Sequence, residues 1–85
     1  MKIKFPNLFS RHSFDKFIKE VVIFKDYSDN LDELWWEMEL LHAYAFEDEM
    51  SNYHQNTWLN YQKDAEVAVK KFLNELELFF NKKKA

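Results

Sequence analysis

Glu39 and His42 stand three residues apart, the Glu-x-x-His spacing that puts two metal ligands on one helix face in carboxylate-bridged di-iron bundles. Such a centre needs a second copy of the motif and two more carboxylates, so only a symmetric dimer of this chain could complete it. The simpler reading makes Glu39 a solvated acid and His42 a residue at the edge of the core. Ser10, His12, Ser13 and Asp15 supply the side-chain types of a nucleophilic triad. They fall within six positions at the start of a helical pattern, however, where capping accounts for them. The chain has no Gly, which removes phosphate-cradling loops, nucleophile elbows and tight two-residue hairpins. No catalytic residue, metal ligand or cofactor is assigned, and the expectation is a protein that is not an enzyme.

Charge patterning points to binding instead. Residues 26–62 carry nine carboxylates and neither Lys nor Arg, while all twelve basic residues lie outside that stretch. The formal net charge of −3 thus conceals +4 over residues 1–25, −9 over 26–62 and +2 over 63–85. Ordinary exposed helices mix signs to gain pairs at i,i+4, so a long single-sign block calls for another reason. Trp35 and Trp36 sit inside it, with Tyr27, Tyr44, Tyr53, Trp58 and Tyr61 around them. Acids steer a basic partner and amphipathic rings supply buried contact area, the combination a protein-binding face needs. The expected contact residues are Tyr27, Asp29, Asn30, Asp32, Glu33, Trp35, Trp36, Glu37 and Glu39, and the expected partner is a basic protein.

The elements that must position these residues follow from periodicity. At 85 residues the chain has room for one domain with a thin core, and its 19% aromatic content exceeds what that core requires. Met1, Ile3 and Phe5 alternate with Lys2 and Lys4 until Pro6, the pattern of a short edge strand. Ser13 then reads as the cap of a helix with apolar positions Phe14, Phe17, Ile18, Val21 and Val22, ending near Lys25. Asn30, with Glu33 three residues on, reads as the cap of a second helix. Its stripe is Leu31, Leu34, Trp35, Met38, Leu41, His42 and Ala45, with Trp36, Leu40 and Tyr44 on an adjoining flank. Residues 56–61 fit either a strand beside residues 1–5 or a helical turn. From Asp64 a third helix runs through Ala65, Ala68, Val69, Phe72, Leu73, Leu76, Phe79 and Phe80. The predicted fold is mainly α, a small three-helix bundle, with the N-terminal strand as an α+β variant.

Two other functions remain open at this level. Lys2, Lys4 and Arg11 at one end and Lys82, Lys83 and Lys84 at the other could converge on nucleic-acid phosphates, which makes RNA an alternative partner. The surplus aromatics could instead be buried between two copies in a homodimer. The chain has no Cys and no apolar run of signal-peptide or membrane-spanning length, which suits a cytoplasmic protein that makes no membrane contact.

The run Tyr27-Ser28-Asp29-Asn30-Leu31-Asp32-Glu33-Leu34-Trp35 resembles the inhibitory segment of barstar-type ribonuclease inhibitors, a Tyr, a short loop and an Asn-Leu-Asp-x-Leu-Trp helix start. A short strand, a turn and an amphipathic helix ahead of it fit the same order. Ser28 stands where that family has Gly after the Tyr, and Trp36 where it has an inhibitory Asp. After residue 62 the later strands of the family's parallel sheet have no counterpart. The resemblance implies a protein that plugs a basic nuclease active site with acids in place of substrate phosphates, with Tyr27, Asn30, Asp32 and Trp35 as contact residues. An antitoxin, an immunity protein or a phage counter-defence protein would each work in this way.

Overall fold

A computed structural model of the chain describes residues 3–52 and 55–84, the last two by backbone alone. Helix α1 spans Arg11–Glu20, a 3-10 segment follows over Val22–Tyr27, and α2 spans Asp29–Ser51. A second 3-10 turn, Thr57–Asn60, leads into α3, Gln62–Lys84. The fold is a mainly α three-helix bundle, as the periodicities predict, and no strand occurs among the described residues. The edge strand expected over residues 1–5 does not form over residues 3–5; Met1 and Lys2 lie outside the described residues. Its anticipated neighbour at 56–61 holds the 3-10 turn Thr57–Asn60 instead, and that turn meets the chain just ahead of α1 through a side chain. Trp58 Nε1 donates to the Leu8 carbonyl at 2.8 Å, while its ring packs 5.7 Å from that of Phe14.

Both early helices start at a serine upstream of the expected cap. Ser10 Oγ accepts from the Ser13 backbone N–H at 3.2 Å, and Ser28 Oγ accepts from that of Leu31 at 3.1 Å. Each serine satisfies one of the amides that a helix leaves unpaired at its start. Ser13 and Asn30 therefore sit inside the first turns rather than at the caps. Helix α1 also closes earlier than its apolar pattern does. Trp35 Nε1 donates to the Ile18 carbonyl at 3.0 Å, which satisfies an acceptor at the end of α1 that has no partner within the helix. Beyond Val21 the chain tightens into the 3-10 segment, which buries Phe24.

The core forms where the three stripes meet. From α1 and its extension come Phe14, Phe17, Ile18, Val21 and Phe24; from α2, Leu31, Trp35, Met38 and Ala45; from α3, Ala65, Val69, Phe72 and Leu76. Burying one such large side chain stabilises the fold by roughly 1.5–3 kcal/mol. The two long helices run antiparallel. Asn30 near the start of α2 donates to Glu75 late in α3 at 3.1 Å, and Tyr61 just before α3 donates to Asp48 late in α2 at 2.9 Å. A helix of 23 residues is about 35 Å long, and this pair sets the elongated 51 × 21 × 17 Å shape. One long side of α2 faces neither α1 nor α3.

Candidate binding face

The core stripe of α2 dictates what its opposite side displays. With about 100° between successive residues, the direction away from Leu31, Met38 and His42 holds Asp29, Glu33, Trp36, Leu40, Tyr44 and Glu47. All six are exposed. Trp36, Leu40 and Tyr44 are 52%, 55% and 56% exposed, and their i, i+4, i+8 spacing makes a ridge about 12 Å long. Glu33 and Glu37 flank its first half and Glu47 its far end, so a line of apolar contact area carries acids along its length. Leu40 and Tyr44 extend the site beyond the residues 27–39 to which the charge argument had confined it. Their signal was already legible, since both share the flank of Trp36.

The nine expected contact residues divide among four environments. Asp29, Glu33, Trp36 and Glu37 stand on the outer face. Tyr27 and Asn30 face the end of α3: the Tyr27 ring lies 5.4 Å from both Phe24 and Phe79 and 6.1 Å from Phe80, and Asn30 binds Glu75. Glu39 and Asp32 are half-buried along the edge toward α1 and its extension. Trp35 requires a correction, because it is 7% exposed with its indole N–H committed to Ile18, and it supports the face from beneath. Adjacent residues on a helix cannot share one direction, and the core took Trp35. The acids are also not all unpaired. Lys25 Nζ lies 3.1 Å from Asp26 Oδ1 and 3.6 Å from Asp32 Oδ1, and the Asp26 hydrogen bond in particular raises the lysine's pKa, although burial opposes it.

A second polar constellation joins α1 to the far half of α2. Arg11 Nε donates to Glu49 Oε2 at 2.9 Å, and the guanidinium carbon sits 4.7 Å from the Phe46 ring centroid. Arg11 Nη1 lies 3.0 Å from His42 Nε2, and Asp15 Oδ1 lies 3.7 Å from the same nitrogen. Burial lowers the His42 pKa and Arg11 lowers it further, against the opposing pull of Asp15 and Glu39. Asp15 is held below the usual carboxylate range, since the Lys19 hydrogen bond, His42 and Arg11 together outweigh the effect of burial. The chemistry considered for these residues therefore resolves into structure. Ser10 is a cap, Asp15 pairs with Lys19 at 2.9 Å, and the His42 nitrogen is occupied by a guanidinium. Among the described residues no group of three His, Cys, Asp or Glu side chains is placed to hold a metal ion.

Arg11 corrects the basic-end alternative as well. It is 7% exposed and paired, so it cannot meet phosphates without breaking the α1–α2 joint. Lys4 and Lys82 are exposed, whereas Lys2 and the side chains of Lys83 and Lys84 lie outside the described residues. An apolar groove of about 650 Å³ runs between residues 3–7 and the α1 extension, lined by Phe5, Phe17, Val21, Ile23 and Phe24 among others. A polar groove of about 540 Å³ adjoins the Tyr44 end of the ridge, between Glu47, Asp48, Tyr61 and Asp64. Tyr61 donates to Asp48 there, a hydrogen bond that raises the pKa of the phenol. No helix among the described residues is long and apolar enough to cross a membrane. Comparison with protein families, curated proteins and solved structures finds no match to this chain.

Proposed function

We propose that the chain is a non-enzymatic protein inhibitor of a nuclease or a similar effector, in the role of an antitoxin, an immunity protein or a phage counter-defence protein. The observation that carries the reading is the outer face of α2. There Trp36, Leu40 and Tyr44 stand in an exposed line edged by Glu33, Glu37 and Glu47, inside a stretch of residues without a single Lys or Arg. A convex ridge of this kind fits a cleft, and its charge fits one lined by Lys and Arg, such as a cleft that holds nucleic-acid phosphates. Acids on the rim speed the encounter, while Trp36 and Tyr44 have the size and the polar tip of interface anchors. The local resemblance to barstar-type inhibitors supports the same class through Tyr27, Asn30 and Asp32, whereas Trp35 acts as the floor. Two copies of this face would set acid against acid, which favours a basic partner over self-association. The test is capture of partners from a bacterial lysate on immobilised protein, followed by nuclease assays of what is retained. A retained nuclease whose activity falls stoichiometrically with added protein supports the reading, and failure to retain any basic protein at low salt overturns it.

A further inference from the structure

Among the described residues Lys25 is the basic residue that touches the Trp35–Trp36 end of the acidic stretch, and its ammonium group sits in a defined box. Asp26 and Asp32 provide the carboxylates at 3.1 and 3.6 Å, and the ring centroids of Trp35 and Trp36 lie 5.9 and 5.8 Å away. The two indoles stand edge to face, 4.7 Å apart at 87°. Trp35 is immobilised by burial and by its bond to Ile18, so one wall is rigid. Asp26, Asp32 and Trp36 are open to solvent at 79%, 44% and 52%, so the box can be reached from the binding face.

We propose that this box is a receptor for a guanidinium or ammonium side chain of a basic protein partner, and that Lys25 fills it in the free protein as a displaceable stand-in. This rests on the reading that the outer face of α2 binds a basic protein, and it names the group that the face selects. The carboxylates of the box are open to water, where ion pairs contribute little net stability, so exchange of one cation for another costs little even though the Lys25 side chain itself is 25% exposed. The four-carbon stem of Lys25 lets its ammonium swing into solvent while the backbone of the 3-10 segment stays in place. An incoming arginine gains more than lysine does, because its planar guanidinium stacks on an indole while its fork engages a carboxylate.

The experiment titrates blocked hexa-arginine and hexa-lysine peptides into the protein at low salt, read by tryptophan fluorescence, with the parent, Lys25→Met and an Asp32→Asn/Trp36→Ala double variant. Removal of the stand-in should tighten hexa-arginine binding about three- to tenfold, the range expected when an exposed pair no longer competes. The double variant should lose most of the binding, and hexa-arginine should outbind hexa-lysine. Equal or weaker binding by Lys25→Met overturns the stand-in, and so does the absence of saturable binding to the parent. Should Lys25→Met fail to fold, amine labelling of the parent decides. Lys25 should become more reactive when hexa-arginine is added, and unchanged reactivity overturns the proposal. Capture of an effector by a parent protein whose affinity for hexa-arginine ignores Lys25 would leave the inhibitor reading standing without the box.

Discussion

Arg11 Nη1 lies 3.0 Å from His42 Nε2, a contact that favours the neutral form of the histidine. A guanidinium can only donate, so Nε2 must accept and the ring proton must sit on Nδ1. A second proton would turn that acceptor into a donor aimed at a cation. Asp15 at 3.7 Å and, more weakly, Glu39 oppose the effect, Lys19 adds to it, and Glu49 holds Arg11 in place. The joint between α1 and α2 is thus built around a neutral imidazole.

A pH dependence follows from the direction of that shift. The folded-state pKa of His42 lies below its ordinary 6.5, so near and below that pH the unfolded chain takes up a proton that the folded one resists. Stability should be full above about pH 6.5 and should fall as the pH drops toward the lowered folded value. Asp15 adds a separate loss near and below its ordinary 3.8, because its folded pKa is also depressed. Chemical denaturation between about pH 5 and 7 reads the first window. A His42→Gln change keeps an acceptor for Arg11 without a titrating ring. In that variant the slope should vanish; a slope that survives His42→Gln would remove this histidine as its source.

Trp35 and Trp36 are neighbours with opposite assignments. Trp35→Ala removes a buried ring and its bond to Ile18, and should cost about 3–5 kcal/mol of stability by cavity formation. Trp36→Ala should leave the melting temperature nearly unchanged and weaken partner binding by about 2 kcal/mol. Paired thermal melts and titrations check both, and the reverse pattern would show the binding ridge to be on another side of α2.

Much of this was legible in the chain, and the parts that were not share a cause. The stripes of α1, α2 and α3 gave the buried faces almost residue by residue, because a 3.6-residue period needs no knowledge of the neighbours. The exposed position of Trp36 followed from the same phase. Starts and contacts were harder. Ser10 and Ser28 took the caps over Ser13 and Asn30 because several capping residues crowd each start, and local sequence does not rank them. Arg11 read as a free cation because its partners, Glu49 and His42, are 38 and 31 residues away. The alternation over residues 1–5 is a true pattern with no strand to pair with among the described residues, and Lys25 closing on Asp32 depends on a 3-10 segment that continues a helical path.

Charge reversal of Glu33, Glu37 and Glu47 to Lys leaves the core stripe untouched, so the variant should keep its helical circular dichroism. Its association rate with a basic effector should fall steeply at low salt and approach the parent's as salt screens both. Stopped-flow measurements across ionic strengths decide this, and parental association kinetics in the triple variant would remove the acids of the outer face from recognition.

Arg11 separates the remaining alternative from the inhibitor reading. Arg11→Met strips Glu49 and His42 of their donor, and should cost about 1–3 kcal/mol of stability. The figure stays below that for a fully buried pair because the Glu49 side chain is 40% exposed. Neutralisation of Lys4 together with Lys82, Lys83 and Lys84 should cost far less, since Lys4 and Lys82 are exposed and lysines in the last turn of a helix chiefly offset its dipole. A surface that binds RNA would respond the other way. The lysine variant would lose affinity and about one unit of salt slope per phosphate contact removed, while folded Arg11→Met would bind as the parent does. Filter binding of single-stranded RNA at several salt concentrations, with folding checked at each, reads the two variants together. RNA binding that is absent in the parent, or unmoved in the lysine variant, leaves the acidic ridge of α2 as the functional surface, because Arg11, the remaining basic residue of the RNA reading, is already committed to holding α1 to α2.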